Sequence, residues 1–149
     1  MSLLKRFFAI IFAFFVINKI KRSFSKAPEI QKKTLKNLIK TSKNTSFGIE
    51  HKFHTINSYK DFVKKVPVRD YEQIKKYIDR IKMGELDVLW PGKPKYLAKT
   101  SGTTSGIKQI PITNDSMPNH ILSARNALLF YIYETRKTKF LNGKTIFIQ

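Results

Sequence analysis

Apolar residues change rhythm several times along this chain, and each change marks an expected element. Phe7 to Ile17 is an unbroken run of 11 apolar residues, with Lys5 and Arg6 ahead of it and Lys19, Lys21 and Arg22 behind. It predicts an apolar and basic N-terminal helix within 1–26. Glu29 to Lys43 then brings Ile30, Leu35, Leu38 and Ile39 close to one side of a second helix, and Ser42 to Ser46 is a polar break. Ser58-Tyr59-Lys60-Asp61 is a capping-box variant opening a short helix that Pro67 ends. Asp70 with Gln73 opens another, whose stripe is Tyr71, Ile74, Ile78 and Ile81 before Gly84.

Beyond Gly84 the rhythm shortens. Lys95 to Lys99 mixes apolar and polar residues as a strand does, and Gln109 to Thr113 reads as a second, edge-type strand because Pro111 lacks an N–H. Thr113, Asn114 or Asp115 can cap a helix that accepts Pro118 in its first turn and runs to about Thr135. Its apolar stripe is Met117, Ile121, Leu122, Leu128, Leu129 and Ile132, with Arg125 near the middle. A buried arginine needs a partner, because an unpaired charge is expensive to desolvate. Asn142-Gly143 marks a turn, and Thr145 to Gln149 reads as the start of a buried strand.

Between the two expected strands lies Thr100-Ser101-Gly102-Thr103-Thr104-Ser105-Gly106-Ile107-Lys108, where hydroxyls and glycines precede a lysine. Glycines admit the backbone conformations that turn successive N–H groups inward, and hydroxyls and an ammonium add donors, so the segment suits an anion such as a nucleotide phosphate. It is not a Walker loop. Three residues separate Gly102 from Gly106 where four are needed, Ile107 precedes Lys108, and Gln109 follows it. By composition alone, a solvated Ser/Thr/Gly hairpin loop is the competing explanation.

Thr-Ser-Gly-Thr-Thr-Ser-Gly between these strands resembles the phosphate-binding signature of the adenylate-forming superfamily, which includes acyl-CoA synthetases and luciferases. More narrowly the chain resembles the bacterial branch of the auxin-responsive Gretchen Hagen family of acyl-acid amido synthetases. That likeness is carried by Gln31 to Leu38, Thr45-Ser46-Phe47-Gly48, Val66-Pro67-Val68-Arg69-Asp70-Tyr71-Glu72, and Gly84-Glu85 through Leu89-Trp90-Pro91-Gly92. Ser105 stands where a glycine is usual, and Ile107 where a proline is common.

The resemblance implies an α/β fold: N-terminal helices, then a β-loop-β-α-β unit, as the truncated N-terminal part of an adenylate-forming large domain. Residues 27–149 would be an incomplete ATP- and acyl-binding domain, with the remainder of the chain missing beyond Gln149 and the fragment alone inactive. It implies a ligase using ATP and Mg2+. A carboxylate attacks the α-phosphate to give an acyl-adenylate and pyrophosphate, then an amine or amino acid displaces AMP. Ser101, Thr103 and Thr104 would hydrogen-bond phosphate, with Gly102 and Gly106 permitting backbone approach. Lys108 is either a phosphate contact or a solvated lysine. Related enzymes line the acyl pocket with the following helix, so Arg125 is either a two-pronged donor to the substrate carboxylate, or the partner of a structural Asp or Glu elsewhere in the chain, or a side chain that snorkels past the helix edge. No catalytic side-chain nucleophile is required.

Charge and cysteine usage narrow the alternatives. The formal net charge is +19, but only six of the 29 basic residues are arginine and they are spread along the chain. Base-edge and planar phosphate recognition favour arginine, so no specific nucleic-acid function is expected. There is no cysteine, hence no disulfide or thiolate metal site, and His51, His54 and His120 do not show ligand spacing. No small-residue cleavage site follows the apolar run, and 11 residues fall short of the ~20 that span a bilayer. The N-terminal helix therefore either packs on the protein or lies on a membrane surface. The expected location is the cytoplasm, where ATP is, with peripheral membrane contact through that helix. The alternative function is a basic membrane-associated or nucleotide-binding module without catalysis.

Overall fold

The computed structural model describes residues 3–101 and 107–143. Six α-helices occur among the described residues: α1 (Leu3–Ser23), α2 (Ala27–Ser42), α3 (Ser46–Glu50), α4 (Tyr59–Lys65), α5 (Tyr71–Lys82) and α6 (Met117–Thr135). Two strands, β1 (Tyr96–Lys99) and β2 (Gln109–Ile112), fall between α5 and α6. This is a mixed helical arrangement with one small sheet, consistent with the α/β expectation. The strand expected at 145–149 lies outside the described residues. The chain divides into two units, one formed by 1–27 with 117–149, the other by 28–116.

In the first unit α1 and α6 pack through Ala13 and Ile17 against Leu129 and Ile132, all buried. The Ala13 side chain is small enough to let the two helices approach closely. Phe14 stacks on Tyr133 at 6.2 Å, and Lys21 Nζ pairs with Glu134 at 3.3 Å. The N-terminal apolar run lies within α1, one face of which is packed. Its other faces are not, since Leu4, Phe8, Phe12 and Phe15 are exposed.

In the second unit two apolar clusters share Phe47. Ile39, Phe53 and Ile56 gather Leu35, Phe62 and Val66; Tyr77, Ile81 and Val88 gather Leu89 and Leu97. The Phe47 ring meets Phe53 edge-on at 5.8 Å and Tyr77 at 5.2 Å, and stacks on His51 at 4.1 Å. Both expected capping boxes are present. Ser58 Oγ accepts from the Asp61 N–H at 3.2 Å while Asp61 takes the Ser58 N–H at 3.0 Å. Asp70 and Gln73 do the same at 2.9 and 3.0 Å. α4 stops at Lys65, before Pro67, as its missing N–H requires.

The polar break at 42–46 turns out to be structured. Ser42 Oγ donates to the Leu38 carbonyl, and buried Thr45 caps α3 by accepting the Gly48 N–H at 3.0 Å while donating to the Ser42 carbonyl at 2.7 Å. Gly48 has no alternative here, because a Cβ would lie 2.1 Å from the Ser42 carbonyl oxygen.

Candidate functional site

β1 and β2 pair antiparallel in the register Tyr96 to Ile112, Leu97 to Pro111, Ala98 to Ile110 and Lys99 to Gln109. Pro111 is tolerated because a two-stranded ribbon leaves every strand an edge. The Thr100 N–H donates to the Lys108 carbonyl at 3.0 Å, so the hydroxyl-rich loop leaves and returns at one closed point. That agrees with the sequence-based expectation of a loop between two strands.

The exit of the loop is held from outside the sheet. Tyr71, first residue of α5, accepts the Gln109 N–H on its hydroxyl at 2.9 Å, and Lys108 Nζ lies 5.7 Å from its ring centroid. The Asp70/Gln73 box fixes where α5 begins and so where Tyr71 stands. The sequence pattern placed Tyr71 in an apolar stripe and missed this role. The available signal was a tyrosine at the first helical position, since a partly buried phenol ordinarily finds a polar partner.

Of the expected phosphate donors, Ser101 is exposed at the start of the loop and Lys108 is half-buried at its end. Gly102, Thr103, Thr104 and Gly106 lie outside the described residues. Around this hairpin the other quoted motifs act as scaffold. Asp87 and Gly92 exchange hydrogen bonds, with the Asp87 carboxylate accepting the Gly92 N–H at 2.7 Å, and both sit at positive φ. The Asp87 and Val88 carbonyls accept the N–H groups of Ser46 and Phe47 at 2.7 and 2.9 Å, joining this loop to the start of α3. Trp90 Nε1 donates to Asp115 at 3.0 Å just before α6. The cavity between Ile81, Val88, Trp90 and Pro111 is about 20 Å³, room for a water molecule and not for a nucleotide.

Arg125 corrects one expectation. It is exposed and its guanidinium donates to Asn126 Oδ1 at 3.0 and 3.3 Å, instead of sitting inside a buried stripe. The reason is that α1 covers only the C-terminal half of α6, through Leu129 and Ile132. Ile121, Leu122 and Leu128 remain exposed. Arg125 belongs to the helical unit and the hairpin to the other.

Some charged groups in the second unit are paired. Glu50 accepts from the Tyr77 hydroxyl at 2.6 Å and from Lys76 Nζ at 3.1 Å. The Tyr77 hydrogen bond, helped by Lys76, holds its carboxyl below the usual 4.5. Arg80 binds both Glu85 and the Ser46 hydroxyl, and lowers the Glu85 carboxyl in the same way. His51 is buried between the Phe47 carbonyl, 2.8 Å from Nδ1, and Arg69 Nη2, 2.8 Å from Nε2. With a guanidinium donating to Nε2, the proton of the ring sits on Nδ1. Among the described residues no cluster of three or more His, Cys, Asp or Glu could hold a metal ion.

Two side-chain donors stand at the ends of the loop. Ser101 Oγ and Lys108 Nζ make no ion pair or hydrogen bond with the described residues, whereas the Thr100 N–H is spent on closing the loop and the Gln109 N–H on Tyr71. The ends of the loop therefore present a hydroxyl and an ammonium, which suit a phosphate, and the scaffold behind them is fixed.

Residues 16–148 match the model of the GH3 family N-terminal domain. The chain is similar to the indole-3-acetic acid-amido synthetase GH3.15 of Arabidopsis thaliana, 37% identical over 101 residues. That match takes in 56% of this chain and 17% of the relative's length. No solved structure matches significantly.

Proposed function

From the premise that this chain belongs to the GH3 family, we propose that it is part of an acyl-acid amido synthetase, a ligase joining a carboxylic acid to an amine or amino acid at the expense of ATP. The observation that carries the reading is the family match, which spans the whole hairpin, together with a relative named as an amido synthetase. The closed, externally braced loop supports it as a phosphate cradle.

ATP with its magnesium supplies the adenylyl group: a carboxylate oxygen bonds to the α-phosphorus as the bond to pyrophosphate breaks. The amine nitrogen then displaces AMP and loses a proton. The chain's part is electrostatic. Ser101, Thr103 and Thr104 donate to phosphate oxygens as charge moves onto the pyrophosphate, Gly102 and Gly106 let the backbone come close, and Lys108 adds a cation at the loop exit. Arg125, exposed on α6 and bonded to Asn126 alone among the described residues, offers a two-pronged donor to the carboxylate of the acid. The protein is cytoplasmic on this reading, where ATP is supplied.

The test is acid-dependent ATP–pyrophosphate exchange by the full-length protein. Thr103→Val lowers exchange by about 10²-fold, in line with loss of one transition-state donor. In the same assay Arg125→Gln raises the acid concentration for half-maximal exchange and leaves that for ATP unchanged. Wild-type exchange by Thr103→Val removes the loop from the chemistry.

A further inference from the structure

The family match begins at residue 16, so most of the aromatic half of α1 precedes the matched domain. The packed side of α1 is set by Ala13 and Ile17, with Ile10 and Ile20 beside them. At 100° per residue the opposite side carries Leu4, Phe8 and Phe15, flanked by Phe7 and Phe12. Their relative exposures are 64, 59, 67, 60 and 50%. Further along that same side come Lys19 and Arg22, both exposed and without an ion pair among the described residues. Lys21, on another side, is used internally by Glu134 and Tyr133.

An exposed aromatic face is costly in water unless something covers it. Here it continues into two unpaired cations, and the sequence as a whole carries +19. A second protein surface would have to offer both an apolar trough and acidic groups in register. An anionic bilayer offers hydrocarbon beneath and phosphate above along its whole extent. No described helix is long and apolar enough to cross a membrane.

We propose that α1 docks this protein on an anionic lipid surface, burying Leu4, Phe8, Phe12 and Phe15 among acyl chains with Lys19 and Arg22 at the headgroup phosphates. The docking is independent of ATP and stands whether or not the ligase reading does.

Co-sedimentation of the full-length protein with vesicles tests it, using phosphatidylcholine alone and phosphatidylcholine with about one-third phosphatidylglycerol. Binding is expected to the mixed vesicles, to weaken in 0.5 M salt by screening, and to persist in excess inorganic phosphate. Phe8→Ser/Phe15→Ser lowers the partition coefficient roughly tenfold or more, as does Lys19→Glu/Arg22→Glu. The circular dichroism and solution mass of both variants match wild type. No binding to the mixed vesicles, or equal partitioning by the aromatic variant, overturns the proposal. So does a change in the oligomeric state or melting temperature of the aromatic variant, which would show that protein covers the face.

Discussion

Gly48 shows how one residue can be dictated by backbone rather than by side-chain chemistry. Its missing Cβ leaves room for the Ser42 carbonyl, which also accepts the Thr45 hydroxyl. Adding a methyl at 2.1 Å forces the end of α2 away from the start of α3 and disrupts the ring contacts of Phe47. Gly48→Ala should destabilise the second unit by about 2–4 kcal/mol, the range of overpacking and lost caps combined. A fall in urea midpoint shows it, and an unchanged midpoint would mean that α2 yields without cost. Arg125 teaches the opposite lesson at this scale. Periodicity placed it on an apolar stripe, yet periodicity does not say how far along a helix its partner reaches.

At the scale of elements, most of what could be read was punctuation. Ser58 with Asp61, Asp70 with Gln73, Pro67 and Pro118 each state a local preference that the backbone obeys without help from distant residues. The strand pair and its loop were legible for the same reason. α3 and the Phe53–Thr55 turn were not, because much of their reason is tertiary: the Ser46 and Phe47 N–H groups are taken by the Asp87 and Val88 carbonyls, and His51 by Arg69, from elsewhere in the chain. The brace from α5 to the hairpin is also long-range, linking residues 38 apart in sequence. It makes the loop's position depend on Tyr71. Tyr71→Phe leaves the Gln109 N–H without its partner and should cost roughly 1 kcal/mol locally. In the full-length protein this appears as faster amide exchange at Gln109 and a several-fold loss of ATP–pyrophosphate exchange with helix content unchanged. Wild-type behaviour in both measurements would make the brace incidental.

For the whole molecule the charge balance sets the response to acid. Glu50, Asp61 and Glu85 all have carboxyls held below their ordinary values of 4.5, 3.8 and 4.5, by Tyr77, by Ser58 with the Asn57 N–H, and by Arg80 respectively. A group depressed in the folded state stabilises fully above its unfolded value and ceases to do so as pH falls through the folded one. The contribution of these three groups should therefore be complete above about pH 5 and decline below roughly pH 4.5. Each proton gained also adds to a formal +19, so repulsion works in the same direction. Salt separates the two effects: it screens the repulsion between exposed lysines but does not restore a carboxylate to accept from a buried phenol. Tyr77→Phe separates them again, since Tyr77 is the largest influence on Glu50. Its deficit in melting temperature relative to wild type should be largest near pH 7 and shrink as acid protonates Glu50 and removes the acceptor of the phenol. A deficit that stays constant across that range would mean that the phenol matters only for packing, and that acid acts on this protein through its net charge.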